Sequence, residues 1–384
     1  MDIFLSEKIT SFFDSLSEVV NSSQAVRAIV VTHLLEDRPY FLRALNKIAP
    51  IDIVFYKPKS VNFPTLDWSK NEYQIKRATR DTAALYEEIS TIFSKNPESK
   101  YVFLDIGGYF SELLNEYGKN LSHRILGVVE DTENGLQKYL RLPNMNIPFY
   151  SVARSPLKDA EDYLVGHSTV FSAEALSRSM GLTFHGASAL VIGFGKVGLA
   201  AADALRARGM HVAVYDHDIS RMIFAKAMGY EIVADVDDSL WRFDFVCGAT
   251  GSFSLQGASF NFIKTGAIIF TVTSSDDELD TKYLRDNFVS EKIDPNISKY
   301  SNSEILFYVL NHGQAVNFTH GAVVGPYIFL VQAEIIEATK NIIAGENNFN
   351  GSYSILSNES RTRISKKWLS SFSPEARKAE MQGN

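Results

Sequence analysis

Apolar and polar positions along the chain alternate between short strand-like runs and longer helical stretches. Residues 1–16, MDIFLSEKITSFFDSL, pattern as an amphipathic helix with acids mixed in. AIVVTHL, 28–34, is a continuous apolar run of the kind a buried parallel strand needs. A helix over 39–48 and a strand at IDIVFY follow, then a helix over 81–94 and strands at YVFLD, 101–105, and ILGVVED, 125–131. Strands alternating with helices predict an α/β domain built on a parallel sheet, with functional loops at the C-terminal ends of the strands. His33, Asp105 and Asp131 fall at such ends. Further on, a helix over 172–180 precedes strands at FDFVCGA and AIIFTVT and a polar loop, SSDDELD. The stretch beginning NHGQAVNFTH predicts a strand and then a long apolar helix. The tail after Gly345, rich in Asn, Ser and charge, is expected to cover a surface or reach a partner subunit, with its last residues mobile.

Residues 187–216 carry the strongest local signal. An apolar strand runs into Gly193, Gly195 and Gly198, with Lys196 and Val197 inside the turn. An Ala/Leu-rich helix, a second apolar strand and Asp216 follow. This is G-x-G-x-x-G in the strand–turn–helix–strand–acid context of a dinucleotide site. The glycines let backbone N–H groups approach a pyrophosphate, and the helix N-terminus favours its charge. Asp216 would hold a ribose hydroxyl pair and disfavours a 2′-phosphate, so the expected cofactor is NAD rather than NADP. A tight βα turn without a ligand is the other reading.

Composition narrows the class. At 384 residues the chain has room for two domains with separate cores. A net charge of −7 without a basic run argues against nucleic acid as a partner. The lone Cys247, in an apolar run, excludes a disulfide framework and a thiolate metal cage, and no metal site is expected. The N-terminus lacks a basic region and a continuous apolar core, so it does not read as a signal peptide. No apolar stretch reaches membrane-spanning length, and a cytoplasmic protein without a membrane partner is expected.

The blocks LDIGGYF, GVVEDTENG, GFGKVGLAAADALRARGMHVAVYDHD, KAMGYEIV and AVNFTHGAVVGP, in this order and spacing, resemble the S-adenosylhomocysteine hydrolase family over about residues 28–335. The resemblance implies two doubly wound α/β domains, a Rossmann NAD-binding domain inserted in a substrate domain. The expected divisions are 1–167, 168–324, and 325–384 for the return helix and tail. It also implies a homo-oligomer, a dimer or a tetramer, acting on a small-molecule substrate. In the family a tightly held NAD oxidises a ribose hydroxyl, a thiol then leaves, water adds and the hydride returns.

Carried over residue by residue, the resemblance assigns Lys158 and Asp162 to the oxidation. Their i, i+4 spacing would put them on one helix face. A lysine beside the nicotinamide can act as the base. A solvent-exposed helix salt bridge is the alternative reading of the same pair. Asp131 stands at the second glutamate of E-E-T-T-T-G, one methylene shorter. His33 matches the histidine of C-L-H-M-T and suits an acid/base role, although an ordinary buried histidine also fits. Thr132, Asn134, Thr250, Gly251 and Asn317 fall on cofactor contacts.

Other family positions differ. Ile106 replaces the second aspartate of L-D-D-G-G, Ser274 and Gly325 replace two histidines, and Tyr163 replaces an asparagine. His167 replaces a cysteine, Leu34 and Leu35 replace a substrate-side loop, and the lysine-tyrosine C-terminus is not recognisable. The hydride set thus survives while the elimination set is depleted. The expectation is a divergent NAD-dependent oxidoreductase or lyase acting on a nucleoside, a sugar or a small hydroxy compound. A catalytically silent NAD-binding regulator or scaffold is the rival.

Overall fold

The computed structural model describes residues 3–18, 24–143, 147–273, 278–346 and 352–373. The chain forms two compact units, residues 1–158 with 326–384, and residues 159–325. The division falls nine residues before the expected 167/168, because the helix expected over 172–180 begins at Asp159. That helix packs along its length on the helix of the glycine turn.

The first unit holds a six-stranded parallel sheet of β1 (Val26–Leu34), β2 (Ile51–Val61), β3 (Ile75–Arg77), β4 (Lys100–Asp105), β5 (Ile125–Glu130) and β6 (Phe149–Ser151), in the order β3-β2-β1-β4-β5-β6. β1 pairs with both β2 and β4, Ala28 standing opposite Ile51 and Val102. Successive side chains of a strand point to opposite faces, and both faces here are apolar. Ala28 and Val30 enter one core while Ile29 and Val31 enter the other. Helices α1 (Ile3–Asp14), α2 (Arg38–Ile48), α3 (Phe63–Glu72), α4 (Thr82–Lys95), α5 (Ser111–Leu121) and α6 (Glu133–Leu140) belong to this unit.

The second unit begins with α7 (Asp159–Ser179) and continues through β7 (Ser188–Ile192), α8 (Lys196–Arg206), β8 (His211–Tyr215), α9 (Ile219–Ala227), β9 (Glu231–Ile232), β10 (Phe245–Gly248), β11 (Ile268–Thr271) and α10 (Thr281–Asn287). Three further strands, β12 (Val289–Asp294), β13 (Ile297–Ser301) and β14 (Leu306–Leu310), extend the sheet to the order β12-β13-β14-β11-β10-β7-β8-β9. β12 and β13 join antiparallel, an addition the sequence patterning did not reveal. Gly166 allows α7 to cross α8 closely, since a Cβ there would lie 2.6 Å from Ala200 Cβ.

The strand expected at NHGQAVNFTH is instead a pair of 3₁₀ turns, Asn311–Gly313 and Val316–His320. Left-handed φ angles at Asn311 and His312 break any extended run there. The apolar helix α11 (Ile328–Ala344) returns to the first unit. Gly127 of β5 is required by it, because a Cβ would meet Ile342 at 2.8 Å. The tail is not merely a surface cover. Ser354 bonds to the β6 backbone, and α12 (Asn358–Phe372) buries Ile364 and Trp368 in the first unit's core. Its last residues lie outside those described. Among the described residues, no helix is long and apolar enough to cross a membrane.

Candidate functional site

Among the parallel strands of each sheet the strand order reverses at one point, and ligands of open α/β sheets bind outside the strand C-termini at such points. In the second unit the reversal lies between β7 and β10. The turn after β7 is locked by close backbone contacts. A Cβ on Gly193, at φ +101°, would lie 2.5 Å from the Ala249 carbonyl oxygen, and one on Gly198 would lie 2.0 Å from the Gly193 carbonyl oxygen. Gly195 caps α8 and has only Arg221 Nη1 within reach, at 3.4 Å, which leaves its backbone open to an approaching group. Val197 joins the core behind the turn, and Lys196 Nζ lies 2.6 Å from Asp159 and 4.0 Å from Asp162.

Asp216 directly follows β8 and is buried. It accepts hydrogen bonds from the Phe194 N–H at 2.6 Å and the Asp218 N–H at 2.9 Å, so it braces the turn it was expected to serve. His217 lies 3.3 Å away, its side chain exposed. Asn317 is buried in the second 3₁₀ turn, and its Oδ1 has no hydrogen-bond partner among the described residues. A buried acceptor without a donor is costly, and a carboxamide N–H₂ is the kind of group that would satisfy it. An open glycine turn at a helix N-terminus, an acid at the next strand end and this orphaned amide oxygen fit a dinucleotide.

Thr250 and Gly251 follow β10. Both face a buried carboxylate that sequence patterning missed. Glu278 accepts from the Gly251 N–H at 2.7 Å, from the Thr273 hydroxyl at 2.7 Å and from the Thr250 hydroxyl at 3.0 Å. Burial pushes its carboxyl up to about 7. Thr250 and Gly251 therefore shape the crossover loop around Glu278. Ser274 lies outside the described residues.

In the first unit the reversal lies between β1 and β4. His33, near the end of β1, bonds through Nδ1 to Ser60 Oγ. Burial lowers its pKa well below the usual imidazole range, helped by the cations Lys57, Arg38 and Lys158, so it is neutral at pH 7. Lys158 does not lie on the helix that carries Asp162. It closes a 3₁₀ turn, Pro156–Lys158, ahead of α7, and it is buried rather than solvent-exposed. Its Nζ lies 3.0 Å from Asp131 Oδ1, with side-chain exposures of 10% and 12%. Asp162 lies in the first turn of α7.

Thr132 caps α6 by accepting the Gly135 N–H at 3.0 Å, and its hydroxyl donates to Glu130 at 2.6 Å. Asn134 lies in the first turn of that helix. Thr132 and Asn134 thus belong to the first unit, apart in sequence from the glycine turn.

Glu130 was also missed, although it stands beside Asp131 at the end of an apolar run. It is fully buried and accepts from the N–H groups of Gly107, Gly108 and Thr132. Burial, and then repulsion from Asp105, push it up to about 7. Gly135 makes room for it, because a Cβ there would lie 2.1 Å from its carboxyl carbon. The third missed acid is Glu334 of α11, an acid within an apolar helical stretch. Its Oε1 accepts from the Ser155 hydroxyl at 2.7 Å, and its Oε2 has no partner among the described residues. Burial pushes its carboxyl up to about 7. Arg361 and Lys158 pull it down, and Asp131 pushes it up.

Residues 163–323 match the family model for the S-adenosyl-L-homocysteine hydrolase NAD-binding domain. An adenosylhomocysteinase from Acinetobacter baylyi is 29% identical over 243 residues, covering 58% of this chain and 51% of the relative. The chain thus spans about half the length of that curated relative. Among solved structures, a dipicolinate synthase polypeptide from Bacillus halodurans superposes with a TM-score of 0.43 at 13% identity, over 68% of this chain and 87% of that one. A Salmonella D-lactate dehydrogenase gives 0.36 at 16% identity, over 67% and 74%. The cofactor of this chain is NAD. Over residues 163–323 the chain is similar to the NAD-binding domain of the S-adenosyl-L-homocysteine hydrolases.

Proposed function

We propose that this protein is an NAD-dependent enzyme that oxidises a hydroxyl of a nucleoside, a sugar or a small hydroxy compound. The observation that carries the reading is the buried Lys158–Asp131 pair at 3.0 Å. A buried ion pair is a poor source of stability, and buried titratable pairs of this kind cluster at functional sites. Once deprotonated, Lys158 would take the hydroxyl proton, and Asp131 stabilises the ammonium that forms. His33, held neutral and oriented by Ser60, is placed to accept or relay a proton. When bound, NAD supplies the hydride acceptor. In this reading Gly193, Gly195, Gly198 and Asp216 hold it, Asn317 reads its carboxamide, and Lys196 and Val197 shape the turn.

Elimination is the weaker half. Ile106 is a buried hydrocarbon where the family carries an acid, and it can neither give nor take a proton. Oxidation without thiol release is therefore the favoured outcome, and any elimination or hydrolysis would fall to His33 or His167. The experiment is to measure NAD in the purified protein and to follow the reduced-nicotinamide absorbance after adding cell-extract metabolites. Wild type is compared with Lys158→Gln, with NAD content and melting recorded for both. Reduction in wild type and none in a folded, NAD-loaded variant supports the reading. Absence of reduction in both would favour a catalytically silent NAD-binding protein.

A further inference from the structure

We propose that Lys57, Arg80 and Lys138 form an oxyanion site in the first unit, which takes a phosphate or carboxylate group of the substrate. The proposal rests on the reading of His33, Lys158 and Asp131 as substrate-side residues, and it names the charge their substrate carries.

The three cations converge on the glycine turn that follows β4. Gly107 and Gly108 have φ angles of +96° and +65°, so the turn presents its carbonyls rather than its N–H groups to the cations. Arg80 donates to the carbonyls of Gly107 and Gly108 at 3.1 and 3.3 Å, Lys138 to that of Gly107 at 3.2 Å, and Lys57 to that of Ile106 at 3.4 Å. The Tyr109 ring holds Arg80 at 4.3 Å and Lys57 at 5.8 Å. These bonds are long for charged donors, which reach about 2.7–2.9 Å on an anionic acceptor. Neutral carbonyls also leave the three charges in place.

The nearby carboxylates are engaged elsewhere. Asp105 accepts from the N–H groups of Tyr109 and Phe110 and from the Tyr139 hydroxyl, and Glu130 from Gly107, Gly108 and Thr132. Glu130, pushed up to about 7, is only partly ionised at neutral pH. Lys57 and Arg80 thus meet neutral carbonyls, while Asp105 and Glu130 take their hydrogen bonds from other groups. Burial lowers Lys57 to about 8, with Arg80 and Lys138 adding to the effect against Glu130 and Asp105. Arg80 is exposed and Lys57 half-buried, so both are within reach of an anion that enters from solvent. The cluster also sits where ligands bind, at the ends of β2 and β4 beside the strand-order reversal. His33 lies within the electrostatic reach of both Lys57 and Lys158. An anion held by Lys57 and Arg80 would therefore belong to the molecule whose hydroxyl meets Lys158.

The test is calorimetric titration of the full chain, saturated with NAD, with inorganic phosphate and separately with malonate, using chloride as the ionic-strength control. Binding of at least one oxyanion is expected, weakened about tenfold or more by Lys57→Met and by Arg80→Met. Should either variant melt early, Arg80→Lys, which keeps the charge and loses the planar fork, replaces it and is expected to weaken binding less. Tighter binding of phosphate points to a phosphorylated substrate, and tighter binding of malonate to a carboxylic one. Failure of both to bind, or unchanged affinity in folded variants, overturns the proposal. Lys158→Gln separates the two readings. Oxyanion binding that persists without NAD reduction in any protein leaves the site standing and removes the redox reading. NAD reduction without oxyanion binding does the reverse.

Discussion

The burial of Lys158 makes a stability prediction that an exposed helix pair would not. Lys158→Met removes the ammonium 3.0 Å from Asp131 Oδ1 and leaves a carboxylate whose side chain is 12% exposed. With an effective dielectric of about 20, the direct attraction at that distance is on the order of 5 kcal/mol. Breaking a buried pair from one side costs about 3–5 kcal/mol, because the remaining charge is stranded. An exposed pair is worth about 0–1 kcal/mol. We therefore expect Lys158→Met to lose about 3 kcal/mol. Asp131→Asn in the same background should recover part of it, giving a coupling of about 2 kcal/mol in a double-mutant cycle. The assay is urea unfolding of wild type, both single variants and the double variant, followed by tryptophan fluorescence. Trp68 and Trp368 report on the first unit. Additivity within about 0.5 kcal/mol would refute the reasoning, since it would show that water screens the pair as it screens a surface bridge.

Asp216→Ala should weaken NAD binding about 10–100-fold, the cost of a lost charged hydrogen bond; unchanged affinity in a dialysis assay would remove Asp216 from the cofactor site. Gly198→Ala places a Cβ 2.0 Å from the Gly193 carbonyl oxygen. The turn must then open, and we expect loss of bound NAD with a destabilisation of about 1–3 kcal/mol, read by cofactor extraction and melting. Glu334 has a folded pKa of about 7 against 4.5 as its ordinary value. The folded state therefore holds the extra proton, and wild-type stability falls as pH rises between those values. Glu334→Gln lacks this slope, so the stability difference should move about 1–3 kcal/mol in the variant's favour from about pH 5 to about pH 8. A difference that stays flat would mean that Glu334 ionises at its ordinary pKa. Thiol release from S-adenosylhomocysteine should be at least about 100-fold below that of an intact relative, because each positioned acid/base contributes about 10²–10⁴ in rate. Release at the relative's rate would contradict the weight placed on Ile106.

The sequence alone determined the parts whose signal is local. Apolar runs of strand length, separated by helical stretches, specify parallel α/β units, because a strand buried on both faces has no polar alternation to carry. The glycine turn at 193–198 was legible because its three glycines fall at a fixed short spacing between an apolar strand and a helix. Asp216 was legible because it directly follows the very next strand.

What depended on contacts between distant segments was decided only by tertiary structure. Lys158 and Asp162 read as one helix face because they are four apart. The pairing of Lys158 with Asp131 spans 27 residues and comes from the adjacency of β5 and the 3₁₀ turn before α7. Glu130, Glu278 and Glu334 are acids that pattern reading assigns to solvent. Each is buried because N–H and O–H donors from distant loops, or a single serine in the case of Glu334, take the place of water. Lys57, Arg80 and Lys138 are scattered over some eighty residues. They share one turn only because β2 and β4 lie on either side of β1, with α6 following β5. Periodicity encodes which face of an element is apolar. It does not encode which polar side chains the closed sheet brings together.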